Sequence, residues 1–134
     1  MMIHDLPRFA KRYDVELKPN PFFPINTLNL MRMAIAAERL GCAEPLIAAI
    51  YDAVWLQEKN MGAADVVADV LTKNGFDTQS LLELSQNPEV KSQLIANTEA
   101  AVDRGIFGTP TLFMDDEMYF GQDRLDFVEE TLRA

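Results

Sequence analysis

The chain has 134 residues, 49% hydrophobic and 25% charged, which suits one compact globular unit and argues against a disordered one. Twelve basic against 21 acidic residues give a net charge of −9, a poor match to nucleic acid or anionic membrane. No apolar run nears the ~20 residues a membrane span needs, and Met1-Met2-Ile3-His4-Asp5 lacks signal-peptide features, so a cytoplasmic location is expected.

Asp5-Leu6-Pro7 suits a helix start, with Asp as cap and Pro in the first turn. Leu6, Phe9, Ala10 and Tyr13 then share a face. Val15 to Leu17 reads as extended, and Pro19, Pro21 and Pro24 forbid a helix beyond it. Phe22 and Phe23 in that stiff connection are expected to pack on the body. Asn26 or Thr27 caps a second helix that runs to Leu40 and stops at Gly41. Leu28, Met31, Ile35 and Leu40 form its apolar stripe, with Ala34, Ala36 and Ala37 allowing close approach. A third helix starts at Glu44-Pro45 and reaches about Glu58, with Ile47, Ile50, Tyr51, Val54 and Trp55 on a wide apolar face. A fourth covers Ala63 to Lys73 and closes at Asn74-Gly75. A short fifth starts at Asp77 or Thr78. Asn87-Pro88-Glu89 opens the longest helix, which ends at Arg104 with Gly105 as its stop.

The strands come last. Thr111 to Met114 and Met118 to Phe120 are apolar and β-branched or aromatic, and Asp115-Asp116 between them suits a hairpin turn. Gly121 breaks the second strand. Asp123 then sits in the first turn of another helix, where its charge suits the dipole. Two bland readings accompany these. Asp65 and Asp69, four apart, mark a solvated face. Met31, Met33, Met61, Tyr51 and Trp55 are assigned to core packing.

Gly108-Thr109-Pro110-Thr111-Leu112-Phe113, a hairpin, and then Phe120-Gly121-Gln122-Asp123-Arg124-Leu125-Asp126-Phe127-Val128-Glu129 resemble the C-terminal end of the 2-hydroxychromene-2-carboxylate isomerases. These are thioredoxin-like proteins related to kappa-class glutathione transferases and DsbA-like oxidoreductases. Asp5 to Ala10, Phe23 to Leu28, and Asn97 to Ala101 resemble the helical insertion of the same family. The resemblance implies a mostly α protein with a small β-hairpin, a partial thioredoxin-like (DsbA-like) α/β fold. Residues 1–104 would be the helical insertion and residues 105–134 the C-terminal ββα half, in one compact unit. The family's opening strand-helix-strand unit is not recognised in the chain, so a truncated form, weak or inactive alone, is expected. An apolar first strand without that unit would present an open edge.

The resemblance also implies a glutathione-dependent isomerase of aromatic compound catabolism, with glutathione as cofactor and a small aromatic acid as substrate. A homodimer is the protein partner it suggests. Thr109 would pair its backbone with the cysteinyl part of glutathione, beside Pro110. Spacing alone makes an X-Pro bond cis in ~5% of cases; the resemblance turns the expectation for Thr109–Pro110 to cis. Gln122 and Asp123 match the positions that hold the γ-glutamyl end, and the helix start there suits its carboxylate. Asp123 equally serves as a dipole partner. No catalytic residue is assigned: the family's serine lies in an aromatic-x-Ser-Pro-aromatic setting, and Ser80, Ser85 and Ser92 have none.

Other groups carry less. Cys42, the single cysteine, excludes an internal disulfide and a Cys-x-x-Cys pair, and reads as a small half-buried hydrophobe. With the single His4, read as a surface residue, it makes structural zinc a poor candidate. Tyr51, Trp55, Phe22 and Phe23 are the alternative lining of a hydrophobic substrate pocket. Two other functions stand beside the isomerase. One is a non-catalytic helical module, or remnant, pairing through an exposed strand edge. The other is a DsbA-like thiol oxidoreductase, disfavoured by the lone cysteine.

Overall fold

Seven helices and one β-hairpin make up the computed structural model, which describes residues 2–134. The helices are α1 (Met2–Tyr13), α2 (Leu28–Leu40), α3 (Ala43–Trp55), α4 (Ala64–Lys73), α5 (Thr78–Ser85), α6 (Pro88–Asp103) and α7 (Leu125–Arg133). The strands β1 (Thr111–Met114) and β2 (Glu117–Phe120) precede α7. Two compact units divide the chain, residues 1–94 and residues 95–134.

In the first unit α2 packs on α3 and α5, and α4 on α3 and α5. Leu46, Leu71, Leu81 and Met61 are almost wholly buried there, each burial contributing about 1.5–3 kcal/mol. The buried side of α2 is Leu30, Met33, Ala36 and Ala37, whereas Leu28, Met31 and Leu40 of the expected stripe stand about half exposed. Apolar residues occupy every face of α2, so periodicity does not select the face; the small Ala36 and Ala37, which let the neighbours close in, do. Ile35 is buried as expected, and so are Met33 and Met61, while Met31 is not.

The helix ends follow local chemistry. Gly41 is left-handed, with φ of 75°, and its N–H donates to the Glu38 carbonyl while the Cys42 N–H donates to Ala37. Those two bonds satisfy carbonyls that α2 would otherwise leave unpaired, and a left-handed residue there favours glycine. Asp77 caps α5: its carboxylate accepts from the Ser80 hydroxyl at 2.7 Å and the Ser80 amide at 3.1 Å. These bonds hold its carboxyl below the usual range. Asn87 caps α6 by accepting from the Glu89 amide at 2.8 Å. Asp69 pairs with Lys73 at 2.8 Å, which lowers its pKa and leaves the Asp65–Asp69 pair a solvated helix face.

Near the start of the chain one expectation fails and another holds only in part. Helix α1 begins before Asp5, with Pro7 inside it, and Asp5 binds Arg8 at 2.8 Å instead of capping. Proline removes one helix hydrogen bond, and near an end that loss is tolerated. Phe22 and Phe23 are more than half exposed, although Phe23 does meet the body, its ring tilted against Trp55 with centroids 5.9 Å apart. What fastens the Pro-rich connection is Asn20, buried, whose Nδ2 donates to the Val54 and Lys59 carbonyls at 2.9 and 2.8 Å. Its Oδ1 accepts from the Phe22 amide at 2.8 Å, so every polar atom of the buried amide is used.

In the second unit β1 and β2 pair antiparallel, Thr111 opposite Phe120 and Met114 opposite Glu117. That register leaves Asp115 and Asp116 as the turn, with Asp115 at φ 54°. The other edge of β1 pairs with no strand among the described residues. Residues Gln122–Arg124 form one turn of 3-10 helix leading into α7, whose Val128 is buried.

Candidate functional site

Thr109, Pro110, Gln122 and Asp123 all lie in the second unit, and one backbone bond draws them together. The Gly121 N–H donates to the Pro110 carbonyl at 2.9 Å, continuing the β1–β2 pairing by one step. The Thr109–Pro110 bond is cis, as the resemblance led one to expect; Phe23–Pro24 is cis as well, and no motif in the sequence marked it. All four site residues are exposed, while Gly121 between them is buried. Among the described residues no hydrogen bond engages the Thr109 amide or carbonyl. Its backbone is thus open to a partner that offers both a donor and an acceptor.

The walls of this corner are set by small and aromatic residues. Gly108 carries no Cβ because the Phe120 ring occupies that space: an added Cβ would lie 2.7 Å from Cε2. Phe107 tilts against Phe120 with centroids 4.6 Å apart, and the Thr111 hydroxyl donates to the Gly108 carbonyl at 2.6 Å. The Arg104 guanidinium sits 3.6 Å above the Phe113 ring, a cation–π contact that ties the end of the α6 segment to β1.

Asp123 folds back over the chain. Its Oδ1 would lie 2.5 Å from a Cβ on Gly121, where φ is 99°, so Gly121 answers two demands at once. Its Oδ2 accepts from Arg124 at 3.0 Å. Both side chains are about half exposed, and such a pair contributes about 0–1 kcal/mol. Asp123 can therefore exchange its cation for one on a ligand at small cost.

The first unit holds a second concavity. A groove of ≈ 430 Å³ runs along α2 and α3, with Met31, Ala34, Ile47 and Tyr51 among its lining. Phe23 and Trp55 form its wall, tilted together with centroids 5.9 Å apart. Tyr51 is 62% exposed, so its assignment to the core is corrected, and Trp55 is only partly buried. Phe22, proposed with them for a pocket lining, does not line the groove. The signal lay in the sequence: Ile47, Tyr51 and Trp55 recur every four residues, on a face distinct from the buried Leu46 and Ala53. Cys42 is half-buried against the core, and His4 is exposed.

Comparison with known proteins bears on both units. The sequence profile of the DSBA-like thioredoxin domain matches residues 1–133. A 2-hydroxychromene-2-carboxylate isomerase of Sphingobium xenophagum is 31% identical over 139 residues, covering 98% of this chain and 67% of that protein. Glutathione S-transferase kappa 1 of Caenorhabditis elegans is 25% identical over 146 residues, covering 99% of the chain and 65% of that protein. A solved structure of 2-hydroxychromene-2-carboxylate isomerase matches with a TM-score of 0.80 at 27% identity, over 98% of this chain and 64% of that one. The chain spans about two thirds of the length of each of these relatives.

Proposed function

The chain belongs to the DSBA-like thioredoxin domain family, and from that premise we propose that it serves a glutathione-dependent isomerase of the 2-hydroxychromene-2-carboxylate type, acting in the cytoplasm on a small aromatic acid. The observation that carries the reading is the Gly121–Pro110 bond, which sets the unengaged Thr109 backbone beside Gln122 and Asp123. The relatives' names supply the reaction class, and the kappa transferase supplies the link to glutathione.

In this reading Thr109 and Pro110 hold the cysteinyl part of glutathione. Thr109 does so through its backbone, so its side chain is free to vary. Gln122 and Asp123 hold the γ-glutamyl end: Asp123 takes the ammonium in place of Arg124, and amides at the turn before α7 take the carboxylate. Gly108 and Gly121 keep Cβ atoms out of the corner. Bound glutathione supplies the nucleophilic thiolate for reversible addition to the conjugated acid. The chain's own contribution is to fix the peptide so that the thiol meets its target in one orientation.

Calorimetric titration of the chain with glutathione tests this. Saturable heat is expected, weakened about tenfold by Asp123→Ala, the loss of one charge-assisted bond. Heat that never saturates, or binding indifferent to both Asp123→Ala and Gln122→Ala, contradicts it.

A second reading rests on the unpaired edge of β1. There the chain acts as an interaction module, adding a strand from a second copy or another protein. A dimer joined through β1, seen as new amide protection at Thr111 to Met114 on self-association, would favour it over the isomerase.

A further inference from the structure

We propose that the groove between β2 and α7 binds an extended segment of another protein in which basic and apolar residues alternate. Four consecutive residues, Glu117, Met118, Tyr119 and Phe120, border a cavity of ≈ 600 Å³. Side chains of a strand alternate between its faces, so a cavity touching all four lies along the outer edge of β2. That edge carries free backbone groups. The bond from the Gly121 N–H to the Pro110 carbonyl fixes the alternation of the pairing, so Glu117 and Tyr119 turn their backbone toward β1. Met118 and Phe120 turn theirs outward, and among the described residues no further strand meets them. A strand added there would pair with these groups.

The side chains indicate what that strand should carry. On the α7 side of the edge the Tyr119 hydroxyl donates to Glu117 Oε2 at 2.9 Å and lies 3.1 Å from the Thr131 hydroxyl, which steadies the Glu117 carboxylate. Glu130 of α7 adds a second carboxylate to the lining. The nearby cations are already engaged, Arg124 by Asp123 and Arg133 by Glu129. Among the described residues neither Glu117 nor Glu130 has a salt-bridge partner. On the other side of the edge Met118 and Phe120 present apolar side chains, 38% and 42% exposed. Successive residues of an added strand fall on these two sides in turn, so a basic residue at every second position with an apolar one between matches both. A second copy is the poorer occupant: each copy carries a net charge of −9, and neither β1 nor β2 holds a basic residue. The groove uses none of Thr109, Pro110, Gln122 and Asp123, and it lies on the opposite side of the hairpin from the free edge of β1. Each reading can therefore fail without the others.

The ¹⁵N-labelled full chain is titrated with a capped peptide of alternating lysine and valine. Saturable shifts and slowed hydrogen exchange at the Met118 and Phe120 amides are expected. Two further peptides, methylated on the backbone nitrogens of either the lysines or the valines, keep the same charge. Only one of these should bind, because only alternate amides of the peptide face β2. Replacing both exposed carboxylates, Glu117→Gln with Glu130→Gln, should weaken binding about three- to tenfold with an unchanged thermal melt. The proposal is overturned by no saturable shift, by equal binding of the two methylated peptides, or by affinity indifferent to the double variant, since a diffuse attraction to an acidic chain would give the last two. Protection at Thr111 and Phe113 instead would place the strand on β1 and overturn it. So would protection that grows with protein concentration alone, which would make the occupant a second copy.

Discussion

Replacing Asn20 should do more damage than its place in a surface connection suggests. Asn20→Ala removes three hydrogen bonds and leaves the Val54 carbonyl and the Phe22 amide without their partner, while the Lys59 carbonyl keeps the Met61 amide at 3.1 Å. Each such bond contributes about 0.5–1.5 kcal/mol, and a stranded buried group costs about 1–3 kcal/mol. Water reaching part of the gap offsets some of this, so a loss of about 2–4 kcal/mol is expected. Asn20→Asp sharpens the case. It keeps the acceptor for Phe22 but turns a carboxylate oxygen toward two carbonyl oxygens, so it should cost at least as much as Ala at neutral pH. Urea unfolding followed by Trp55 fluorescence reads the effect locally, because Trp55 packs on Phe23. At a slope of about 1.5–2 kcal/mol per molar, the midpoint should fall by about 1–3 M. A loss under about 1 kcal/mol in Asn20→Ala, or an Asp variant clearly more stable than the Ala one, would refute the anchor.

Other substitutions follow from the same geometry. Gly108→Ala should destabilise the hairpin unit by about 1–3 kcal/mol through its clash with Phe120, and adding Phe120→Leu should recover part of that in hairpin amide exchange. Gly41→Ala meets no neighbour within 4 Å, so its cost is the left-handed backbone alone, about 1–2 kcal/mol by chemical denaturation. The two bonds from Ser80 hold the Asp77 carboxyl below the usual carboxylate range, so its stabilising effect is present above the unfolded value and is lost as pH falls through the lowered folded value. The melting temperature of Asp77→Ala should therefore lie below the parent's at neutral pH, with the gap closing in acid. A gap that widens in acid would reverse the sign.

Local chemistry is the legible part of this fold. Gly41, Gly75 and Gly105 stop helices where their positive φ is needed, and Asp77 and Asn87 cap the helices that follow them. Asp115-Asp116 sets the hairpin register within a residue. The choice of buried face is not legible on α2 and α3, since both carry apolar side chains all round and only the neighbours decide between them. Periodicity therefore sends Tyr51 to a core it does not enter. Asn20 escapes notice for a related reason: a polar residue among prolines looks like turn material until the carbonyls it binds, 34 and 39 residues away, are in place. Thr109–Pro110 and Gln122–Asp123 are legible only through a resemblance, because their meeting depends on the strand pairing between them.

The central claim is that the corner formed by Thr109, Pro110, Gln122 and Asp123 binds the peptide portion of glutathione. Amide shift mapping with S-methylglutathione, which cannot act as a nucleophile, tests it most directly. Saturable shifts at the amides of Thr109, Gln122 and Asp123, reduced together by Asp123→Ala, are the predicted result. Amides there that stay still while those of the α2–α3 groove move, or no movement anywhere, would contradict it.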